Sequence, residues 1–207
     1  MVITKIERQK KDRNRCNLYI DGAFFCGLYD DTVIKYGIAA NDELTEKKLV
    51  EIKDFDEYIY GKKIAFDFLS YRIRTVSEIR KKLTAKKISA ESVEKVLKHL
   101  NELKLTNDEE FAKQLIQEKI LRNPSGKRVL KQKLFEKGIS KEVSDKAIET
   151  AFENLDEKEL AMVSFRKYFQ RIRSEEKEKQ KRKTFDFLSR RGFNFDVINE
   201  IIKENLN

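Results

Sequence analysis

The chain has 207 residues, 40% apolar and 39% charged, with a formal net charge of +9. One proline and seven glycines suit long helices and argue against a β-sandwich or a disordered tail. Two cysteines outside any CxxC spacing and a single histidine exclude a zinc set, and the lack of a run of about 18 apolar residues excludes a membrane-spanning helix.

The N-terminal stretch MVITKIERQKKDRNR has no apolar core like that of a signal peptide, which points to the cytoplasm. Cys16 and Cys26 are therefore expected to be reduced, half-buried packing residues. Asp21-Gly22 lies between two β-prone runs, 15–20 and 23–27. Both central positions of a type I′ turn need positive φ, so this pair predicts a hairpin. Residues 2–8 alternate apolar and polar and read as a third strand. After Asp30-Asp31 a short helix runs to Tyr36, closed by Gly37, and a linker helix begins near Thr45.

From Lys62 the pattern is helix upon helix. Thr75-x-x-Glu78 is a capping box. Ser89, Asn107, Ser125, Ser140, Asp156 and Asn194 are further N-cap candidates. They predict nine helices, over 62–73, 76–86, 90–104, 108–122, 126–137, 141–153, 157–173, 175–190 and 195–205. The nine fall into threes. KKLTAKKIS, KQKLFEKGIS and FDFLSRRGFN align on Leu83, Leu134 and Leu188, at offsets of 51 and 54 residues. An apolar residue (Ile88, Ile139, Phe193) and a polar cap (Ser89, Ser140, Asn194) follow each leucine. The fold expected is mainly α: three tandem three-helix repeats over 62–107, 108–154 and 155–207, behind an N-terminal β-hairpin-containing module over 1–61. One such unit buries little by itself, so packing between units is expected to complete the core.

Charge follows the repeat. Residues 62–87 and 112–141 each hold nine basic and two acidic residues, and 161–191 hold eleven and four, so each segment is net +7. The third-helix segments 88–111, 142–160 and 192–207 are net −3, −5 and −2. A solvated face of Lys and Glu explains one such helix; three in phase suit a basic stripe that meets a polyanion. Its candidates are Arg72, Arg74, Arg80, Lys81, Arg122, Lys127, Arg128, Lys131, Arg171, Arg173, Lys181, Arg182, Arg190 and Arg191. Arginine weighs most because its planar fork grips phosphate or carboxylate bidentately. The neighbouring rings of Tyr71, Tyr168 and Phe169 read as core or cover before they read as base-stacking platforms. No GxxxxGK[ST] or GxGxxG loop is present, so no nucleotide cradle, cofactor or catalytic site is expected. Asp108-Glu109-Glu110 and Glu175-Glu176 sit where helix starts favour acids.

The runs FLSYRIRTVSEIRKKL (68–83) and VLKHLNELKLTNDEEFA (96–112), then Arg122, Gly126, Arg128, Leu134 and Lys137-Gly138-Ile139, form a recognisable set. The chain from Phe68 to Ile148 resembles the RecX family of bacterial RecA regulators. Two positions depart from the family's pattern: Asn107 stands where an acid is usual, and Lys87 replaces a glycine that Gly138 and Gly192 keep. The resemblance implies a curved, elongated array of three repeats without catalysis. It implies binding to the RecA–single-stranded DNA filament and suppression of its ATPase, strand-exchange and co-protease activities, which places the protein in DNA repair, recombination and control of the SOS response. A monomer is expected. The alternative is a helical protein that binds nucleic acid directly, through helix-turn-helix-like units, with no recombinase partner.

Overall fold

Asp21 and Gly22 take φ of 49° and 85°, the pair of positive values that a two-residue hairpin turn requires. In the computed structural model, which describes residues 1–153 and 155–206, this turn joins β2 (Arg15–Ile20) to β3 (Ala23–Tyr29). β1 (Ile3–Arg8) pairs antiparallel with β2, with Ile6 opposite Leu18, giving a sheet in the order β1-β2-β3. One face buries Ile3, Leu18, Ile20 and Leu28 in a cluster with Ile38, Leu44 and Ile52. Cys16 is buried and Cys26 half-buried, and both are free thiols. Burial and the Asp30 carboxylate push the Cys16 thiol up to about 11, so it stays protonated.

α1 (Asp30–Tyr36) ends at Gly37, where φ of 58° lets the Ile38 N–H reach back to the Val33 carbonyl. Its N-cap, Tyr29, offers no side-chain acceptor. Asp56 of the next helix supplies one: its buried carboxylate accepts from the Tyr29 N–H at 2.6 Å and the Thr32 hydroxyl at 2.7 Å.

Sequence spacing predicts two helices in the next stretch, one from near Thr45 and one over 62–73. A single helix, α2 (Glu46–Leu69), covers both. It starts at Thr45, whose side chain accepts from the Lys48 N–H. Gly61 does not break it, and a Cβ there would come within 3.1 Å of Val96. The absent side chain lets the helix pack closely on α4 (Ala90–Glu102). The N-terminal half of α2 therefore covers the sheet, and its C-terminal half is the first helix of the first three-helix unit. The helix also stops at Leu69, so residues 70–75 form a loop.

α3 (Val76–Ala85) and α4 complete that unit; α5 (Asp108–Arg122), α6 (Lys127–Glu136) and α7 (Lys141–Phe152) form the second, and α8 (Glu157–Ile172), α9 (Lys177–Arg190) and α10 (Phe195–Leu206) the third. Eight of the nine helices predicted after residue 62 stand as separate elements. The segment ends at Asn154 and Asn207 lie outside the described residues. Ser89, Asn107, Ser140 and Asp156 cap as predicted, accepting from the N–H groups of Ser92, Glu110, Val143 and Lys158. Thr75 and Asn194 also accept, from Glu78 and Asp196. Ser125 does not cap. Gly126 takes that position, and the Ser125 hydroxyl donates to the Asn123 carbonyl instead. α9 begins two residues late: Glu176 is its N-cap, and the Glu175 N–H still donates to the Ile172 carbonyl at the end of α8.

The predicted repeat phrase is a repeated backbone turn. The carbonyls of Leu83, Leu134 and Leu188 accept from the N–H groups of Ile88, Ile139 and Phe193. All three leucines are fully buried. This six-residue closure needs a left-handed residue inside it, and Lys87, Gly138 and Gly192 supply φ of 61°, 74° and 80°. The second and third units keep separate buried clusters, one around Phe111, Ile116, Leu130 and Leu134 and the other around Phe165, Leu188, Ile198 and Ile201. Leu160 packs against both. The second and third units thus each close most of their own core, more than simple solenoid stacking predicts.

The chain divides into two compact units, Met1–Ile73 with Ile79–Thr106, and Arg74–Glu78 with the residues from Asn107 on. Inside the second, α9's closing turn is clasped by the start of α6. The Gly126 N–H donates to the Arg191 carbonyl at 2.9 Å, and a Cβ on Gly192 would fall 2.6 Å from the Val129 nitrogen. The segment 74–78 makes the equivalent contact on α6's closing turn, where the Thr75 hydroxyl donates to the Lys137 carbonyl at 2.9 Å. Ser77 there lies where a Gly138 Cβ would clash, at 2.3 Å.

Three substitutions test these turns by urea denaturation. Lys87→Gly is expected to raise stability by about 1 kcal/mol, since an exposed lysine is held in a left-handed conformation. Gly192→Ala adds strain and a backbone clash, and should cost about 2 kcal/mol or more. Asp56→Ala strands a buried N–H and a buried hydroxyl, at about 3 kcal/mol.

Candidate functional site

The separation of charge by helix has an internal use. Arg80 on α3 pairs with Glu94 on α4, and Lys131 on α6 reaches Asp145 on α7 at 2.5 Å. The two pairs are related by the same 51-residue offset as Leu83 and Leu134. Basic second helix and acidic third helix thus attract each other within a unit. In the third unit an aromatic stack replaces the ion pair, Phe185 on Phe195 at 5.7 Å. Exposed pairs of this kind contribute about 0–1 kcal/mol and weaken with salt. They orient helices but leave the cations open to a stronger anion.

The remaining candidates differ in what the fold has done with them. Arg122 pairs with Glu118 at 3.2 Å and Lys181 with Glu178 at 2.9 Å, each on its own helix. Lys127 lies 5.1 Å from the centroid of the Phe152 ring. Arg72 donates to the Ile73 carbonyl at 2.9 Å, and Arg74 is half-buried. Lys81, Arg171, Arg173, Arg182 and Arg190 are exposed and, among the described residues, have no carboxylate in ion-pair range.

Arg128 and Arg191 carry a second role. The Arg128 guanidinium donates to the Ser189 carbonyl near the end of α9. Arg191 donates to the Asn123 side chain and, at 3.4 Å, to the Pro124 carbonyl, with its plane 5.1 Å from the Phe187 centroid. These two arginines join the second and third three-helix units, Arg128 through a carbonyl in the last turn of α9 and Arg191 through the Asn123 side chain and the Pro124 carbonyl just past α5. Burial pushes the Arg191 pKa down.

The rings divide as well. Tyr168 stacks on Phe187 at 4.1 Å with 6° between planes, and Phe169 packs on Phe165 at 5.2 Å, so both serve as cover or core. Tyr71 does not: it is 84% exposed. α2 ends before the segment that the longer predicted helix would have packed. Phe135, which no sequence feature singled out, is 78% exposed on α6. It lies three or four residues from Lys131 and Gln132, so the three share one helix face.

Three candidates from distant parts of the chain do converge. Arg122, Arg171 and Arg191 line one pocket of about 150 Å³, together with Lys167 and the Tyr168–Phe187 stack. Lys167 escapes sequence reading because it falls inside an aromatic run that reads as core. Its signal is the spacing of Ser164, Lys167, Tyr168 and Arg171, which repeats every three or four residues and so places them on one helix face. Among the described residues, no three His, Cys, Asp or Glu side chains form a metal-holding group. No helix among them is long and apolar enough to cross a membrane.

Comparison with known proteins follows the same division of the chain. The model for the Regulatory protein RecX N-terminal domain matches residues 1–45, and those for the first, second and third RecX three-helix domains match 62–100, 107–148 and 156–202. Regulatory protein RecX of Clostridioides difficile (strain 630) is 30% identical over 211 residues, covering 100% of this chain and 96% of that protein. A crystal structure of regulatory protein RecX superimposes with a TM-score of 0.77 at 30% identity, covering 99% of both chains. RecX from Lactobacillus salivarius gives a TM-score of 0.62 at 26% identity, over 72% of this chain and 96% of that one.

The two kinds of arginine are separable by thermal melting. Arg191→Ala should destabilise by about 1–2 kcal/mol, through lost bonds to the Asn123 side chain and the Pro124 carbonyl and a lost ring contact. Arg182→Ala should change stability by no more than about 0.5 kcal/mol, as an exposed substitution. Equal shifts for the two would contradict the structural role given to Arg191.

Proposed function

The chain belongs to the RecX family, and we propose that it is a negative regulator of the RecA recombinase. In this reading it binds the RecA–single-stranded DNA filament and inhibits ATP hydrolysis, strand exchange and co-protease activity, with consequences for DNA repair, recombination and the SOS response. It acts in the cytoplasm as a monomer, without cofactor or catalytic step of its own. The observation that carries the reading is the set of exposed cations on α8, α9 and their connecting segment that have no carboxylate partner among the described residues: Arg171, Arg173, Arg182 and Arg190. A repeating polyanionic filament offers such a set several contacts at once, and weak contacts held on one scaffold add through effective concentration.

Titrating the protein into a RecA ATPase assay on single-stranded DNA tests the reading. Substoichiometric amounts should slow hydrolysis. Reversing Arg171, Arg173, Arg182 and Arg190 to Glu should raise the amount needed at least tenfold, about 1.4 kcal/mol, with the helical circular-dichroism signal unchanged. Hydrolysis unaffected by wild-type protein, alongside tight binding to bare DNA, would replace this reading with direct nucleic-acid binding. Full inhibition by the reversed protein would move the working surface elsewhere.

A further inference from the structure

The pocket bounded by Arg122, Lys167, Arg171 and Arg191 is cationic. Four cations face it, and no Asp or Glu lines it. Among the described residues, Arg122 alone of the four has a carboxylate neighbour, Glu118, on its own exposed helix face. Arg191 is held there by neutral acceptors, the Asn123 side chain and the Pro124 carbonyl. A half-buried guanidinium without a counter-charge is costly, and an anion that enters beside it removes that cost.

The walls are also rigid. Ser164 is buried and its hydroxyl donates to the Pro124 carbonyl at 3.2 Å, tying α8 to the segment after α5. The Tyr168–Phe187 stack, nearly parallel at 6°, forms an aromatic side of the same pocket. At about 150 Å³, the space falls below the roughly 300–1,000 Å³ of sites that enclose a whole small molecule. It suits one anionic group of a longer ligand.

We propose that this pocket is a subsite for a backbone phosphate of single-stranded nucleic acid. The guanidinium groups of Arg122, Arg171 and Arg191 and the Lys167 amine supply charge-assisted donors to the non-bridging oxygens, and the aromatic side offers an apolar face to the adjoining sugar or base. That apolar face favours a nucleic acid over a carboxylate-rich peptide, which has nothing to lay against it. The assignment deepens the reading of the basic surface above and rests on it, but not on the identity of the recombinase.

The test is fluorescence anisotropy of a labelled oligothymidylate with the full chain, across a series of salt concentrations. Lys167→Gln with Arg171→Gln should weaken binding about tenfold at low salt. The slope of log affinity against log salt should fall by about 1.4, at roughly 0.7 per single-strand phosphate released. Lys47→Gln with Lys203→Gln removes the same charge elsewhere, and should shift affinity less than about twofold. Equal effects of the two pairs overturn the subsite. Competitors identify the anion: unlabelled oligothymidylate should displace the probe far more effectively than inorganic phosphate or oligoglutamate. If oligoglutamate competes as well as the oligonucleotide, and loses as much on Lys167→Gln with Arg171→Gln, the pocket takes carboxylates and the proposal fails. The ATPase titration keeps the two readings apart. Inhibition that survives a failed anisotropy test removes the subsite alone, and a confirmed subsite without inhibition removes the regulator reading alone.

Discussion

The turn that closes the second helix of each three-helix unit constrains nearly everything else. A helix end leaves carbonyls without partners, and here the chain answers with a left-handed residue and a bond from Ile88, Ile139 or Phe193 back to a buried leucine. That closure still leaves the carbonyls of Lys137 and Arg191 open, and each accepts from a segment 62 to 65 residues earlier, from the Thr75 hydroxyl and the Gly126 N–H. The same feature therefore ends a helix, aims the next one and provides the acceptor to which other backbone docks. Gly126 and Gly192 face each other because neither position has room for a side chain.

Charge on this framework is of two kinds, and magnitudes distinguish them. Arg80–Glu94 and Lys131–Asp145 are exposed pairs between neighbouring helices, each worth about 0–1 kcal/mol in physiological salt. A polyanion displaces such carboxylates at little cost. Arg191 is different, since its bonds to Asn123 and Pro124 help hold two three-helix units together while its charge stays uncompensated. It contributes field to the pocket without being a side chain that can be removed cleanly. Lys167 and Arg171 are both exposed, and they supply the part of that field which can be varied without touching the framework.

Local patterns carried much of the fold. The hairpin follows from Asp21-Gly22, and α1 from its closing Gly37. The alignment of Leu83, Leu134 and Leu188 anticipated the closing turns, even at Lys87, where lysine adopts the conformation glycine has in the other two. What failed was equally specific. α2 runs through Gly61 because Val96 packs against the bare backbone there, and Ser125 yields the cap position to Gly126, whose N–H is needed by Arg191. Tyr71 is exposed for want of a turn of helix that periodicity had supplied.

The sequence by itself determined most of the elements, their grouping in threes and the alternation of basic and acidic helices. Each of these depends on interactions within about six residues, or on a phrase repeated along the chain, and such signals survive without any knowledge of contacts. Tertiary structure alone decided which cations are paired, which secure backbone carbonyls, and that Arg122, Lys167, Arg171 and Arg191 meet around one pocket. That convergence joins α5's end, α8 and the turn after α9. No local spacing encodes it, because the distance between such groups is set by how helices pack and not by how far apart they stand in the chain.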